Sequence, residues 1–181
     1  MSLVYAAIQA LALWVGVIVQ ASFMASLGEP WASVPLMLVA GIILLHERSL
    51  PWGVWWLVMS GILLEWRGLG FGLTLAYTGA AIITVLLVTS VFAKRSLAGL
   101  FGVAVVGAIS FLLLRCLGDI IWNVAHAEDW FLGLSLRDFL FVSIVVPVLV
   151  VAVSVARRRL ARIAGTSLIS RDDIYGFSST R

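Results

Sequence analysis

Charge is what this chain most lacks. Only 12% of its 181 residues are Asp, Glu, Lys or Arg, against roughly 25% in an ordinary soluble domain. So little charge argues against a water-soluble fold. Cysteine is almost absent as well. Cys116 is the single one, so no intramolecular disulfide is possible and the redox compartment leaves no trace. Histidine is scarce, with His46 and His126 alone. Two histidines and one cysteine at different levels of a bundle cannot assemble a zinc site. A Gly-x-Ser-x-Gly turn and a glycine-rich loop followed by lysine are both missing, which removes two common catalytic and phosphate-binding patterns.

What the chain has in abundance is apolar length. Hydrophobic residues make up 62%, and the mean hydropathy is +1.13. A spanning helix takes ~20 predominantly apolar residues, with ~17 tolerable. The expected fold is therefore all-α, a polytopic integral membrane bundle of about six transmembrane helices within residues 1–156. Residues 157–181 are expected to form a cytoplasmic tail, first basic, then polar and partly disordered. The expected spans are 4–25, 31–46, 51–65, 70–93, 98–123 and 136–156. The first apolar run exceeds a typical secretory h-region and is expected to stay in the protein. Pro30 and Pro51 fall at the starts of the second and third spans, where a missing amide hydrogen costs nothing. The second and third spans are short, so they must tilt little, thin the bilayer, or be shielded by neighbours. Pro147 lies inside the sixth span and predicts a bend there.

The charges orient the bundle. With both termini in the cytoplasm, Arg48, Lys94, Arg95, Arg157, Arg158, Arg159, Arg162, Arg171 and Arg181 lie inside, and Arg67 and Arg137 outside with most of the acids. That is the positive-inside pattern. It also answers the sequence pI of 9.6: basic residues at span edges indicate topology and anionic lipid, not nucleic acid. Arg157, Arg158, Arg159 and Arg162 suit lipid headgroups and a helix C-terminus. Trp31, Trp52, Trp55, Trp56, Trp66, Trp122 and Trp130 fall near span ends, as interface anchors do; Trp14 sits mid-span. Ser49 and Ser96 sit where a helix N-cap is expected. Small-residue steps (Ala6-xxx-Ala10, Gly72-xxx-Ala76-xxx-Ala80, Gly107-xx-Ser110) allow close helix packing.

Two charged places stand out. The stretch from Gly61 to Gly70 holds Glu65 and Arg67 between apolar runs, followed by Gly68 and Gly70. Two residues apart on a helix, Glu65 and Arg67 do not face one another, so separate partners are expected, with the glycines forming a sharp turn. Arg115 and Asp119 are the most embedded charges. Their i, i+4 spacing allows mutual neutralisation, or a polar contact within the bundle or to a partner helix. No catalytic constellation emerges, and no metal or cofactor is expected.

In this order the features resemble the bacterial rod-shape-determining membrane protein family MreD. Its members carry a proline near the start of the second span. A short third span then ends in a glycine–acid–glycine pattern, here Gly61, Glu65, Gly68, Gly70 and Gly72, with Glu65 where Asp is more usual. A basic hinge, Lys94-Arg95-Ser96-Leu97, and a last span with a central proline, Pro147, followed by arginines are also similar. The resemblance implies a non-enzymatic component of the cell-elongation machinery in the bacterial inner membrane. It would pair with MreC and link the MreB filament to peptidoglycan synthesis. The alternative is a substrate-binding (S) component of an energy-coupling-factor vitamin transporter. Such proteins have similar size and an Ala-x-x-x-Ala step in the first helix, and their polar pocket would draw on Glu65, Arg67, Arg115, Asp119 and Asn123.

Overall fold

A computed structural model describes residues 3–24, 26–47, 50–69, 72–90, 96–126 and 135–163. Every regular element among them is helical: α1 (Leu3–Ile18), α2 (Leu36–Glu47), α3 (Leu50–Trp66), α4 (Leu73–Ser90), α5 (Leu97–His126) and α6 (Leu136–Ile163). A π-helical segment, Val19–Met24, continues α1, and a 3-10 turn, Trp31–Ser33, precedes α2. The segments Ala6–Met24, Leu97–His126 and Leu136–Ala161 are long and apolar enough to cross a membrane by length and composition. Leu36–His46 and Leu73–Thr89 are shorter apolar helices.

The short α2 is the middle of the bundle. It touches α3, α4, α5 and α6, and α1 reaches it from outside. Met37, Leu38, Val39, Ile42, Ile43, Leu45 and His46 are all buried, the pattern of a helix that is apolar all round. The short α2 is shielded by its neighbours. Consecutive helices α2 to α6 pack side by side, while α1 lies at the edge against α2 and α3.

Close approach of backbones holds the centre. A Cβ added at Gly61 would come 2.9 Å from the Cα of Thr74, and one at Gly72 would come 2.9 Å from the Cα of Gly118. Any side chain at these points would push α4 away from α3 or α5. Ala76 and Ala80, one and two turns along α4, are fully buried. The predicted small-residue step on α4 is thus a packing face, and Gly107 and Ser110 are likewise buried in α5. Ala6 and Ala10 are exposed instead, on the edge helix.

Several sequence expectations need correction. The second helix begins at Leu36, not at 31, because Pro35 and not Pro30 sets its start. Trp31–Ser33 reads as apolar sequence but folds into the 3-10 turn, whose Trp31 ring meets Phe141 of α6 edge-on at 5.0 Å. Trp56, expected at an interface, is buried. Its ring lies beside Gly16 of α1. Pro147 is buried inside α6, which stays helical through Arg157, Arg158 and Arg159 to Ile163. The sixth helix thus extends seven residues past the expected span end at 156. Residues 164–181, with the expected disorder there, lie outside the described residues, as do Arg48, Ser49, Gly70, Lys94, Arg95, Glu128, Asp129 and Trp130.

Candidate functional site

The site grows out of a problem shared by α2 and α4. The first amides of any helix have no partner in their own helix and need an acceptor. The usual solution is a Ser, Thr, Asp or Asn at the N-cap. The N-cap position of α4 is Gly72 and that of α2 is Pro35, and neither has a side chain that can accept. Both cap residues are buried, and in each case a side chain from another helix supplies the acceptor.

Glu65 resolves the first case. One carboxylate oxygen accepts the amide of Thr74 at 2.9 Å and the other that of Gly72 at 3.3 Å. The Thr74 side chain hydrogen-bonds the same carboxylate. A negative charge over the first turn of a helix also opposes the positive end of its dipole. The acid that ends α3 is thus the cap of α4. The turn between them is closed by Gly68, at φ +73°. Its amide donates to the carbonyl of Glu65 at 2.9 Å, and that of Leu69 to Leu64 at 3.2 Å, the Schellman pattern that ends a helix on a left-handed glycine. Gly72, at φ +77°, makes the second left-handed turn. Chain reversal, cap and backbone contact with α5 are thereby concentrated in one corner.

Gln20 resolves the second case from the π segment of α1. Its carbonyl oxygen accepts the amide of Leu36 at 2.6 Å, and its amide group donates to the carbonyl of Val34 at 2.9 Å. In the sequence Gln20 stood only as one of the few polar groups within the spans, and nothing in the apolar run around it marked it as a cap.

Arg67 turns away from Glu65, as their spacing requires. Its guanidinium carbon lies 5.9 Å from the centre of the Trp14 ring, within cation–π range. Trp14, unexplained in the sequence, is therefore the partner that ties the edge helix α1 to the end of α3. Trp14, Val17, Leu63, Trp66 and Arg67 line one small crevice there.

Arg115 and Asp119 are half-buried on α5, near enough for their charges to interact. Arg115 lines a cleft of about 110 Å³ whose walls include Gln20, Ser33, Pro35, Leu64, Leu73, Tyr77 and Phe111. Tyr77 and Phe111, each 1% exposed, meet at 4.8 Å. A separate, more open groove runs past Glu65, Gly72, Thr74, Thr78 and Gly118. The structure thus groups Gly61, Glu65, Arg67, Gly68 and Arg115 at one end of the bundle. Pro147 lies apart, in the interior of α6, and the arginines from Arg157 to Arg162 lie at the far end of that helix. His46 ends α2 and His126 ends α5. Among the described residues no group of three or more His, Cys, Asp or Glu is arranged to hold a metal ion. No protein-family model, curated protein or solved structure matches the chain.

Proposed function

We propose that this protein is a non-enzymatic membrane scaffold of the MreD kind, in the bacterial inner membrane with both termini cytoplasmic. In that role it pairs with an MreC-like protein and connects the MreB filament to peptidoglycan synthesis. The observation that carries the reading is the use made of Glu65. The acid at the position where the MreD-like pattern has its own is engaged by the amides that start α4. It therefore fixes a corner between helices, which is what a rigid docking platform needs. The bonds to Gly72 and Thr74 give Glu65 a structural duty that is independent of any ligand.

Three further features support it. Large apolar side chains face outward along the helices, among them Leu11 (67% exposed), Ile82 (55%) and Ile144 (66%). A soluble monomer rarely exposes a contiguous apolar patch larger than a few hundred Å², whereas lipid tails cover such a surface readily. The 30 residues of α5 and 28 of α6 rise about 45 Å and about 42 Å. Each exceeds the ~30 Å hydrocarbon layer, so helical ends project into the headgroups and beyond. The projecting end of α6 carries Arg157, Arg158 and Arg159 in helical register, suited to anionic headgroups or a cytoplasmic partner.

Affinity purification of the tagged full chain from bacterial membranes tests the reading. The expected companion has one membrane span and a β-rich outer domain, as MreC does. Recovery of a transporter's ATPase module in its place would replace the scaffold with the S-component alternative.

A further inference from the structure

The remote caps leave one charged group of this corner without such a duty. Gln20 is bonded to Leu36 and Val34, and Glu65 to Gly72 and Thr74. Arg115 lines the cleft beside Gln20, and among the described residues its charge interacts with that of Asp119. Asp119, one turn along α5, is not part of the cleft lining. A guanidinium held half-buried in an apolar bundle is costly, and such arginines generally mark a site.

The cleft has the chemistry of a binding site for one anionic oxygen group. A water molecule needs only about 10–15 Å³ of cavity space, so about 110 Å³ admits several waters or a single oxyanion. The guanidinium offers a planar fork that matches a carboxylate or phosphate. Tyr77 and Ser33 add the hydroxyls of the lining, and Leu64, Leu73 and Phe111 an apolar remainder. Arg115 stands eighteen residues after the start of α5, ~27 Å of helical rise. That places it in the second half of α5, whose ~45 Å rise exceeds a ~30 Å hydrocarbon layer, toward the end at which a lipid phosphate or a dissolved anion can reach it.

We infer that the Arg115 cleft binds an oxyanion, either the phosphodiester of a lipid headgroup or a small free phosphate or carboxylate. The inference does not rest on the scaffold reading, because a bundle of either functional class can hold such a group.

The test is thermal unfolding of the delipidated full chain in an uncharged maltoside detergent. Two probes are titrated separately, inorganic phosphate with acetate, and dioleoylphosphatidylglycerol in mixed micelles. A saturable rise in melting temperature with the first probe identifies a dissolved anion, and with the second a lipid. Arg115→Gln should weaken that binding about tenfold or more, as loss of a charge-assisted pair does. The exposed Arg137→Gln should leave it unchanged. Should Arg115→Gln not fold, Ser33→Leu, which fills the cleft from the 3-10 turn, must abolish the rise. The inference is overturned if neither probe raises the melting temperature. It is also overturned if Arg115→Gln or Ser33→Leu binds as the parent does, or if Arg137→Gln loses as much.

Discussion

Two of the helices in this bundle are capped from within their own stretch of chain, and two are capped from elsewhere. At α5 the hydroxyl of Ser96 accepts the amide of Gly99 at 2.9 Å. At α6 Ser135 accepts that of Asp138 at 3.1 Å and donates to its carboxylate at 2.7 Å. These are local caps, three residues from donor to acceptor. At α2 and α4 the acceptor comes from a different helix, Gln20 of the π segment and Glu65 of α3. A local cap stabilises one helix. A remote cap also fixes where that helix starts relative to its neighbour, so the same hydrogen bond carries tertiary structure. The remote caps occur where backbone crowding leaves no room for a local one: Gly72 lies against Gly118, and Pro35 is buried at the head of the central helix.

The comparison breaks most sharply at Gly72. Gly72→Ser supplies the hydroxyl of a local cap, but it places a side chain at positive φ and against the Gly118 backbone. It is expected to cost about 3 kcal/mol or more, seen as loss of folded protein in detergent-solubility and melting assays. Removing the remote caps should come next. Glu65→Ala is expected to cost about 2 kcal/mol, since two amides and the α4 dipole lose a charged acceptor. Gln20→Ala should cost about 1–2 kcal/mol for one neutral pair. Both are read from denaturant or thermal unfolding. The local caps should matter less. Ser96→Ala and Ser135→Ala are each expected to cost about 1 kcal/mol and to leave helix–helix crosslinking distances unchanged. The smallest effect is expected at Arg67. Arg67→Gln removes an exposed cation–π contact of about 0.5–1 kcal/mol, measurable as faster proteolysis of the α1 edge.

The same division explains what could be read from the sequence. Helix number, the helix ends near Glu47, Trp66 and His126, and the Ser96 cap were legible because hydropathy and local capping act over a few residues. The start of α2 was not, because Trp31-Ala32-Ser33 is apolar enough to pass for a span and Pro30 is as plausible a start as Pro35. Glu65 stood out as a charge in an apolar setting. Its partners seven and nine residues on were hidden, since Gly72 and Thr74 carry no mark of being capped. The roles of Gln20 and Trp14 were hidden for the stronger reason that their partners, Leu36 with Val34 and Arg67, are placed by the fold alone. Arg115 and Asp119 were noticed as a pair. That Arg115 lines a cleft depends on Gln20, Tyr77 and the 3-10 turn converging from three other parts of the chain.

Amide hydrogen exchange at the start of α4 tests most directly whether Glu65 is a structural cap. In the parent protein Gly72 and Thr74 should be protected. In Glu65→Ala their exchange should accelerate about tenfold or more, the equivalent of about 1.4 kcal/mol, while Gly99 and Asp138 at the locally capped starts keep their rates. Unchanged protection at Gly72 and Thr74 in Glu65→Ala would contradict the account and return Glu65 to the status of a free acid.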